Sequence, residues 1–303
     1  MKIDDLRAAL EAQAIACTTE YALRDHVSFK LPCTAALAIR PQSVEALVTS
    51  VSLCRKMGVP TVLLGRGSNL FFAGERYEGA VILSDGCATL TREGDCLVAT
   101  CGVSLLSLCL RAAEMGLSGL EFAYGIPGSV GGAVYMNAGA YGGAISDVLM
   151  ESTAYDLSSG EVLVLREHDF GYRKSIYMKN KDLVCLSARF ALKQAERADI
   201  EKTMRGHMQS RREKQPLEYP SAGSYFKRPE GHFAGKLIED CGLKGLRVGG
   251  AEVSEKHAGF LINRGGATEA DIRRLSKEVR RIVYEKTGYL LECEIRPMTG
   301  DPI

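Results

Sequence analysis

One glycine-rich stretch constrains this chain more than any other feature. Residues 125–143 read Gly-Ile-Pro-Gly-Ser-Val-Gly-Gly-Ala-Val-Tyr-Met-Asn-Ala-Gly-Ala-Tyr-Gly-Gly, with seven glycines in nineteen residues and no charged side chain. Glycine permits positive φ and a close approach of backbone to a ligand. Successive N–H groups in such a segment can form an anion-binding concavity. The stretch therefore predicts backbone wrapped around a flat, phosphorylated ligand, and the alternative is a cluster of tight turns between strands.

A second glycine-rich turn precedes this stretch. The short apolar run 61–64 predicts a buried strand, which leads into Gly65-Arg66-Gly67-Ser68-Asn69. The turn is neither the dinucleotide fingerprint, because no third glycine opens a helix, nor a P-loop, because no Gly-Lys-Ser/Thr follows. By itself a plain turn explains it better. Together with residues 125–143, it indicates a diphosphate held between two loops.

Length and composition exclude several classes of protein. A chain of 303 residues favours two or three domains. The net charge of +1 gives no overall field for nucleic acid or membrane, and no apolar run is long enough to span a bilayer. The ten cysteines have neither Cys-x-x-Cys nor zinc-site spacing, which favours buried free thiols in a reducing compartment. The N-terminus does not resemble a signal peptide. We expect a cytoplasmic, monomeric protein without a metal site.

Periodicity and capping residues predict an α+β fold, because helices and strands do not alternate strictly. The first unit, residues 1–85, is predicted to contain helices at 3–14 and 43–58 and strands at 34–40, 61–64 and 80–83. The second unit, residues 86–208, is predicted to contain strands at 95–101 and 183–192, a hairpin at 151–157 and 161–165, and helices at 104–116 and, reaching beyond the unit, 194–214. The third unit, residues 209–303, is predicted to contain helices at 235–241 and 268–288 and strands at 260–263 and 291–296.

Two polar turns are candidate sites for anionic groups. Arg173 follows Tyr172 in the turn Gly-Tyr-Arg-Lys-Ser, and a guanidinium there can clamp a carboxylate through two hydrogen bonds. Ser224 lies among small residues with Lys227 and Arg228 close behind. A positioned serine can deliver a proton to a carbanion, and the basic pair can bind phosphate. The alternatives are a solvated turn for Arg173 and a turn or cap serine for Ser224.

Two further candidates are weaker from spacing alone. The segment 291–296 alternates, so that Glu292, Glu294 and Arg296 share one face. A strand carboxylate beside an arginine is usually a surface pair, and spacing does not favour Glu294 over Glu292. His257 lies in a polar turn before a strand, where a structural role and a ligand contact are equally consistent with the sequence.

Taken together, these motifs resemble the UDP-N-acetylenolpyruvoylglucosamine reductase family. The match runs from about residue 22 to 298 and rests on residues 64–69, 125–141, 172–173, 221–227 and 291–296. The short Tyr-Arg region and compact third unit are similar to the subtype that lacks an extra substrate-capping loop. The resemblance implies a two-subdomain FAD-binding unit of the vanillyl-alcohol-oxidase type with a C-terminal α+β substrate domain.

The resemblance also implies a cofactor, a reaction and roles for individual residues. FAD would bind non-covalently, with NADPH as reductant, and a UDP-sugar enolpyruvyl ether would receive hydride from flavin N5 at C3 and a proton at C2. Arg173 would polarise the substrate carboxylate, protonated Glu294 would donate a hydrogen bond, and Ser224 would protonate C2. The implied substrate contacts are Tyr172, Lys227, Arg228, His257 and Asn263. The implied FAD contacts are Gly65, Arg66, Gly67, Ser68, Asn69, Gly125, Ile126, Pro127, Gly128, Ser129, Gly131, Gly132, Ala133 and Asn137.

One segment departs from the family pattern. The family has an Asn-Thr pair and a Gly-Gly pair before its first strand, whereas residues 26–33 read His-Val-Ser-Phe-Lys-Leu-Pro-Cys. Ser28 can replace the threonine, but the glycine pair is absent, so the flavin contacts expected in this segment stay open. Two alternatives remain for the function. One is another FAD-dependent oxidase or dehydrogenase acting on an alcohol or sugar, and the other is a non-enzymatic nucleotide-binding module.

Overall fold

The N-terminal part of the chain packs two helices against a mixed four-stranded sheet. A computed structural model describes residues 2–299. The elements here are α1 (Lys2–Glu11), β1 (Ala16–Ala22), β2 (Thr34–Arg40), α2 (Val44–Met57), β3 (Thr61–Leu64), β4 (Leu70–Phe72) and β5 (Arg76–Leu83). The sheet order is β1-β2-β5-β3, with β5 parallel to both of its neighbours. Helix α2 begins and ends where its caps predict, because Ser43 Oγ accepts from Ala46 N and Gly58 has φ 61°.

The middle of the chain forms a five-stranded antiparallel sheet covered by helices. Its elements are β6 (Leu90–Glu93), β7 (Cys96–Thr100), α3 (Leu105–Glu114), β8 (Leu117–Ser118), α4 (Val130–Met136), β9 (Gly139–Ala140), β10 (Gly143–Ala144), β11 (Leu149–Asp156), β12 (Glu161–Leu165), α5 (Ile176–Lys179), β13 (Leu183–Ala191), β14 (Lys193–Gln194) and α6 (Arg197–Lys214). The sheet order is β12-β11-β13-β7-β6. The predicted hairpin is present as β11 and β12, which pair antiparallel from Ser152–Leu165 to Asp156–Glu161.

The last part of the chain packs a long helix on a small antiparallel sheet. Its elements are α7 (Ala234–Asp240), β15 (Arg247–Val248), β16 (Ala251–Val253), β17 (Leu261–Asn263), α8 (Glu269–Thr287) and β18 (Arg296–Met298). Helix α8 has the predicted termini: Thr268 Oγ1 accepts from Asp271 N, and Gly288 ends the helix at φ 77°. Its apolar side, which includes Ile272, Leu275, Val279 and Val283, is fully buried. That burial explains why a helix with so many charged residues is stable.

The prediction of a strand over 291–296 is only partly correct. Residues 291–295 form no strand and make one isolated bridge, between Cys293 and Phe226, and ladder pairing begins at Arg296. Leu291 and Ile295 are buried as the alternation predicts. Strand β18 then leaves this unit and pairs parallel with β4 of the N-terminal part. The segment therefore ties the third unit to the first.

Buried apolar residues form separate clusters that follow this organisation. One cluster centres on β7, β13, α3 and α4, and another on α7, α8 and β16–β17. Two more lie on either face of the N-terminal sheet. Among residues 2–299, no helix is long and apolar enough to cross a membrane.

Candidate active site

A wide cleft of about 770 Å³ opens between the middle and C-terminal parts of the molecule. Its lining combines the end of the glycine-rich stretch, the Tyr172-Arg173 turn, the Ser224 segment, α7 and the His257 turn. The lining residues are Asn137, Gly139, Ala140, Tyr141, Gly142, Gly143, Ala144, Tyr172, Arg173, Ser224, Phe226, Arg228, Phe233, Ala234, Gly235, Lys236, Glu239, Lys256, His257, Ala258, Gly259 and Glu294. Segments far apart in sequence thus meet at one concave surface, which is the usual setting of a ligand site.

Arg173 and Glu294 form a shielded ion pair on the wall of this cleft. Arg173 Nε donates to Glu294 Oε1 at 2.6 Å, and the two side chains are 21% and 8% exposed. Arg173 has φ 54°, a left-handed conformation that a residue with a Cβ rarely adopts. Because only Nε is used by Glu294, the terminal nitrogens of the guanidinium remain available to a second carboxylate.

Burial distinguishes Glu294 from its neighbour Glu292. The Glu292 side chain is 70% exposed and pairs with Lys227 at 3.0 Å, which lowers the pKa of Glu292. Glu294 faces the cleft instead, and burial raises its pKa above the ordinary 4.5 despite the nearby Arg173 charge. Lost hydration disfavours the charged form of a buried carboxyl. The structure therefore separates two residues that alternation alone placed together.

Backbone hydrogen bonds hold the Ser224 segment against the segment that carries Glu294. Tyr225 N donates to Gly259 O, and Glu294 N donates to Tyr225 O, both at 2.8 Å. Gly223, at φ 82°, lets the chain turn into this segment. Ser224 itself is exposed and lines the cleft. Ser224 therefore immediately precedes Tyr225, the residue whose backbone bonds to Glu294.

The two glycine-rich loops meet as the sequence predicts. A Cβ atom on Gly65 would lie 2.2 Å from Ser129 Oγ, so the loops approach more closely than a side chain would allow. None of the described residues accepts a hydrogen bond from the backbone N–H groups of 65–69. Such a row of free N–H groups fits a diphosphate. Asn69 Nδ2 reaches the Glu294 carbonyl oxygen at 3.4 Å and so links the loop to the ion pair.

Part of the second loop is a helix that the sequence did not predict. Residues Val130–Met136 form α4, and Ser129 Oγ accepts from Gly132 N. The N–H groups of Val130 and Gly131 donate to backbone oxygens, so they are already paired, and Ala133 is buried in the core. Asn137 ends the helix at φ 42°. Its side chain donates to Gly171 O and accepts from Ser146 N.

The segment 26–33 reaches the first loop through its backbone. Ser28 N donates to Gly67 O at 3.0 Å. A Cβ atom on Gly67 would lie 2.0 Å from His26 O, which explains the glycine at that position. The segment therefore adjoins the predicted phosphate loop although it lacks the family's glycine pair.

The predicted substrate contacts divide into two groups. Tyr172, Arg228 and His257 line the cleft, and the Arg228 N–H donates to Tyr172 Oη at 3.3 Å. Lys227 is not among the residues that line the cleft, and its ammonium pairs with Glu292.

Asn263 is also outside the cleft. It is buried, donates to Phe29 O and accepts from Gly265 N and Ala267 N, so its side chain serves a turn. Both residues therefore lie outside the cleft, and their roles as substrate contacts stay predictions.

Several residues that line the cleft were not predicted from the sequence. Lys236 on α7 and Lys256 beside His257 line the cleft together with Phe233 and Tyr141. Lys236 pairs with Asp240 one turn along the helix, and Lys256 Nζ donates to Arg212 O. An i, i+4 pair on a helix reads as an ordinary surface pair. Nothing in the sequence distinguished these lysines from solvated ones.

Among residues 2–299, no cluster of His, Cys, Asp and Glu could hold a metal ion. His257 Nδ1 accepts from Gly259 N, and burial lowers the pKa of the imidazole. A neutral ring with one nitrogen used by the backbone suits a hydrogen-bonding role better than an ionic one.

Comparison with known proteins places this geometry in a family. Residues 35–166 match the FAD binding domain model, and residues 215–298 match the C-terminal domain model of UDP-N-acetylenolpyruvoylglucosamine reductase. The fold and site thus define a FAD-dependent oxidoreductase with a separate C-terminal domain.

Whole-chain relatives identify the family. The UDP-N-acetylenolpyruvoylglucosamine reductase of Clostridium botulinum (strain Hall) is 46% identical over 275 residues, covering 90% of each chain. That of Caldicellulosiruptor bescii is 44% identical and covers 95% of this chain and 92% of its own. The solved reductase of Thermus caldophilus is 33% identical, with a TM-score of 0.78 over 94% of this chain and 99% of that chain. The chain belongs to the UDP-N-acetylenolpyruvoylglucosamine reductase family.

The predicted α+β fold and the predicted family are confirmed by these matches. The alternatives, an oxidase acting on an alcohol or sugar and a non-enzymatic binding module, receive no support from the named relatives.

Proposed function

We propose that this enzyme reduces the enolpyruvyl ether of a UDP-N-acetylglucosamine to the corresponding lactyl ether, in the synthesis of a peptidoglycan precursor. The observation that carries the proposal is the partly buried Arg173–Glu294 pair at 2.6 Å, which shares a cleft with Ser224. When bound, FAD supplies the hydride chemistry, with NADPH as the proposed reductant. The protein contributes binding, orientation and electrostatics.

Negative charge that develops on the enolpyruvyl carboxylate is the main physical difficulty of this reaction. Hydride addition at C3 places charge on C2 and, by conjugation, on the carboxylate oxygens. We propose that the terminal nitrogens of Arg173 hold that carboxylate, because a fixed cation stabilises charge best in a partly dry site. Only Nε is committed to Glu294.

Glu294 is proposed to act in its neutral form. Burial already raises its pKa, and a substrate carboxylate on the same guanidinium would raise it further, since two neighbouring carboxylates disfavour double ionisation. A protonated Glu294 can donate a hydrogen bond to the developing enolate without adding negative charge.

Ser224 is the proposed proton donor to C2. Its hydroxyl faces the cleft next to the segment that carries Glu294. The enolate is a strong base, so even a weakly acidic hydroxyl can protonate it at short range. Because Ser224 is exposed, solvent can restore the proton it loses.

We assign the two phosphorylated groups to different parts of the structure. The FAD diphosphate is proposed to bind the free N–H groups of 65–69 beside the Ser129 end of α4, where the two loops touch. The substrate diphosphate is proposed to bind Arg228, Lys236 and Lys256, the basic residues of the cleft near Tyr172 and Phe233. Charge-assisted hydrogen bonds to phosphate favour such a cluster.

The proposed setting is the cytoplasm, where free thiols persist, and all ten cysteines are free. The monomeric state stays a prediction.

The test is anaerobic visible absorption of the purified protein during two additions. NADPH should bleach the flavin band, and UDP-N-acetylglucosamine enolpyruvate should restore it. Bleaching without recovery would support NADPH as the reductant and reject the proposed enolpyruvyl substrate. The Ser224→Ala variant should bleach normally and recover about 100-fold more slowly or worse, whereas recovery at the wild-type rate would exclude Ser224 as the proton donor.

A further inference from the structure

Arg173 is carried by a strained loop, residues 166–175, which we name the arginine loop. It runs from the end of β12 to the start of α5. Both Asp169 and Arg173 have positive φ, at 49° and 54°. Strained residues persist only where the surrounding structure over-determines them. The contacts that hold this loop in place therefore determine the position of the Arg173 guanidinium.

His168 in the arginine loop and Tyr177 in the following helix α5 converge on one buried serine. His168 Nε2 and Tyr177 Oη lie 2.8 Å and 2.7 Å from Ser152 Oγ. Ser152, His168 and Tyr177 are exposed by 1%, 5% and 2%. Ile176 N also donates to His168 O at 2.7 Å, closing the base of the loop. Ser152 lies on β11, inside the five-stranded sheet.

The hydrogen bonds among His168, Ser152 and Tyr177 are all satisfied when the histidine is neutral. His168 bonds the backbone of Arg166 through its ring, and burial lowers its pKa. In the neutral form, with the proton on Nδ1, Nε2 accepts from Ser152, and Ser152 accepts from Tyr177. Each of these buried polar groups then has a partner. Three polar side chains in a core cost stability unless fully paired. Apolar side chains beneath the loop would pack there without that requirement.

Two further contacts fix the middle of the loop to α4. Asn137 Nδ2 donates to Gly171 O at 3.1 Å, and Ser175 Oγ donates to Tyr135 O at 2.7 Å. Ser175 is fully buried. The loop is therefore held at its base by the sheet and along its length by the glycine-rich helix.

We propose that the buried chain His168–Ser152–Tyr177, here named the serine node, is a positioning device that sets the arginine loop so that Arg173 meets Glu294 and the substrate carboxylate. The proposal rests on the proposed role of Arg173. None of the three side chains lines the cleft, so they act through the loop and not on substrate.

The test compares two tyrosine hydroxyls, one carried by α5 and one by β11. Tyr177→Phe removes one member of the node. Tyr155→Phe, the matched control on β11, removes a hydroxyl that lies 2.8 Å from Ser52 Oγ, outside the arginine loop. Tyr177→Phe should slow flavin reoxidation by the enolpyruvyl substrate about tenfold or more, since small misplacements of a clamp are costly. Flavin reduction by NADPH should stay within about twofold of wild type, by the same positioning argument.

A double-mutant cycle separates positioning from general destabilisation. If the serine node acts as one unit, the Ser152→Ala/Tyr177→Phe double variant should reoxidise its flavin only slightly more slowly than Ser152→Ala alone. Equal reoxidation rates in Tyr177→Phe and Tyr155→Phe at similar thermal stability would overturn the proposal. Arg173→Ala distinguishes the two hypotheses: if it reoxidises normally, the proposed function of Arg173 fails, whatever the node variants do.

Discussion

At the scale of single residues, the site depends on one carboxyl group kept out of water. Glu292 and Glu294 lie two positions apart, yet their pKa values move in opposite directions. Glu292 gains a lysine partner at the surface, whereas Glu294 loses hydration beside Arg173. The guanidinium fork and the shielded carboxyl therefore call for separate experiments.

Arg173→Lys keeps the charge but loses the planar fork. Nε already serves Glu294. A lysine ammonium on a flexible stem cannot hold Glu294 and a substrate carboxylate in the fixed planar geometry of a guanidinium. We expect the rate of flavin reoxidation by the enolpyruvyl substrate to fall by about 100-fold or more, measured by stopped-flow absorption. Flavin reduction by NADPH is the internal control. A reoxidation rate like that of wild type would contradict two-point recognition of the carboxylate.

Glu294→Gln should change the pH dependence of stability. The folded pKa of Glu294 is raised above 4.5, so between 4.5 and that folded pKa the native state keeps a proton that the unfolded chain has released. Stability therefore falls as pH rises through this window. The wild-type protein should lose stability relative to Glu294→Gln over that window and run parallel to it above. Urea unfolding across the pH series measures this, and parallel curves throughout would show that burial does not shift Glu294.

At the scale of elements, helix termini were predictable and the glycine-rich helix was not. Thr268 and Gly288 cap α8 as the sequence indicates. Helix α4 was missed because glycine disfavours helices. The structure gives the reason for its glycines: a Cβ atom on Gly131 would lie 2.9 Å from Cys101 Cβ. Close packing on the Cys101 segment outweighs the low helix propensity of glycine here. The spacing of residues in the sequence does not indicate which segment will be that neighbour.

Gly65→Ala should separate the two phosphate loops. The added Cβ would lie 2.2 Å from Ser129 Oγ and 3.3 Å from Ser129 Cβ, so the Ser129 hydroxyl must leave its position on Gly132 N and the loops must shift slightly. We expect FAD affinity to fall about tenfold or more, in line with about 1.4 kcal/mol for each tenfold change. Flavin fluorescence during titration measures it.

Gly206→Ala is the matched control for that substitution, since a Cβ there meets nothing within 4 Å and Gly206 lies in α6. It should bind FAD like wild type. Unchanged affinity in Gly65→Ala would refute the proposed cradle.

At the scale of the whole molecule, the site exists only where separate units meet. Arg173 comes from the middle unit, while Ser224 and Glu294 come from the last. The chain after Glu294 then pairs with β4 in the N-terminal unit. Loosening any of these contacts would therefore disturb the cleft without removing a site residue.

Cysteine reactivity reports on the packing of the whole molecule. Seven of the ten free cysteines are buried, and Cys17, Cys96 and Cys293 are partly exposed. Burial raises the pKa of Cys33 and Cys54 to about 11, so their thiolate is scarce at neutral pH. A disulfide reagent should modify at most three thiols rapidly in the native protein and all ten after unfolding. More than three rapid thiols would show that a core opens readily.

The sequence by itself determined the class of protein and, through its resemblance to the family, the residues proposed for the reaction centre. Glycines, caps and periodicity are local properties, and the motifs around Arg173, Ser224 and Glu294 were legible without a fold. Tertiary structure decided which of the candidates face the cleft. It brought in Lys236 and Lys256, removed Lys227 and Asn263, and chose Glu294 over Glu292. The reason is that burial and partner choice depend on segments distant along the chain, and no local pattern encodes which segment will be the neighbour.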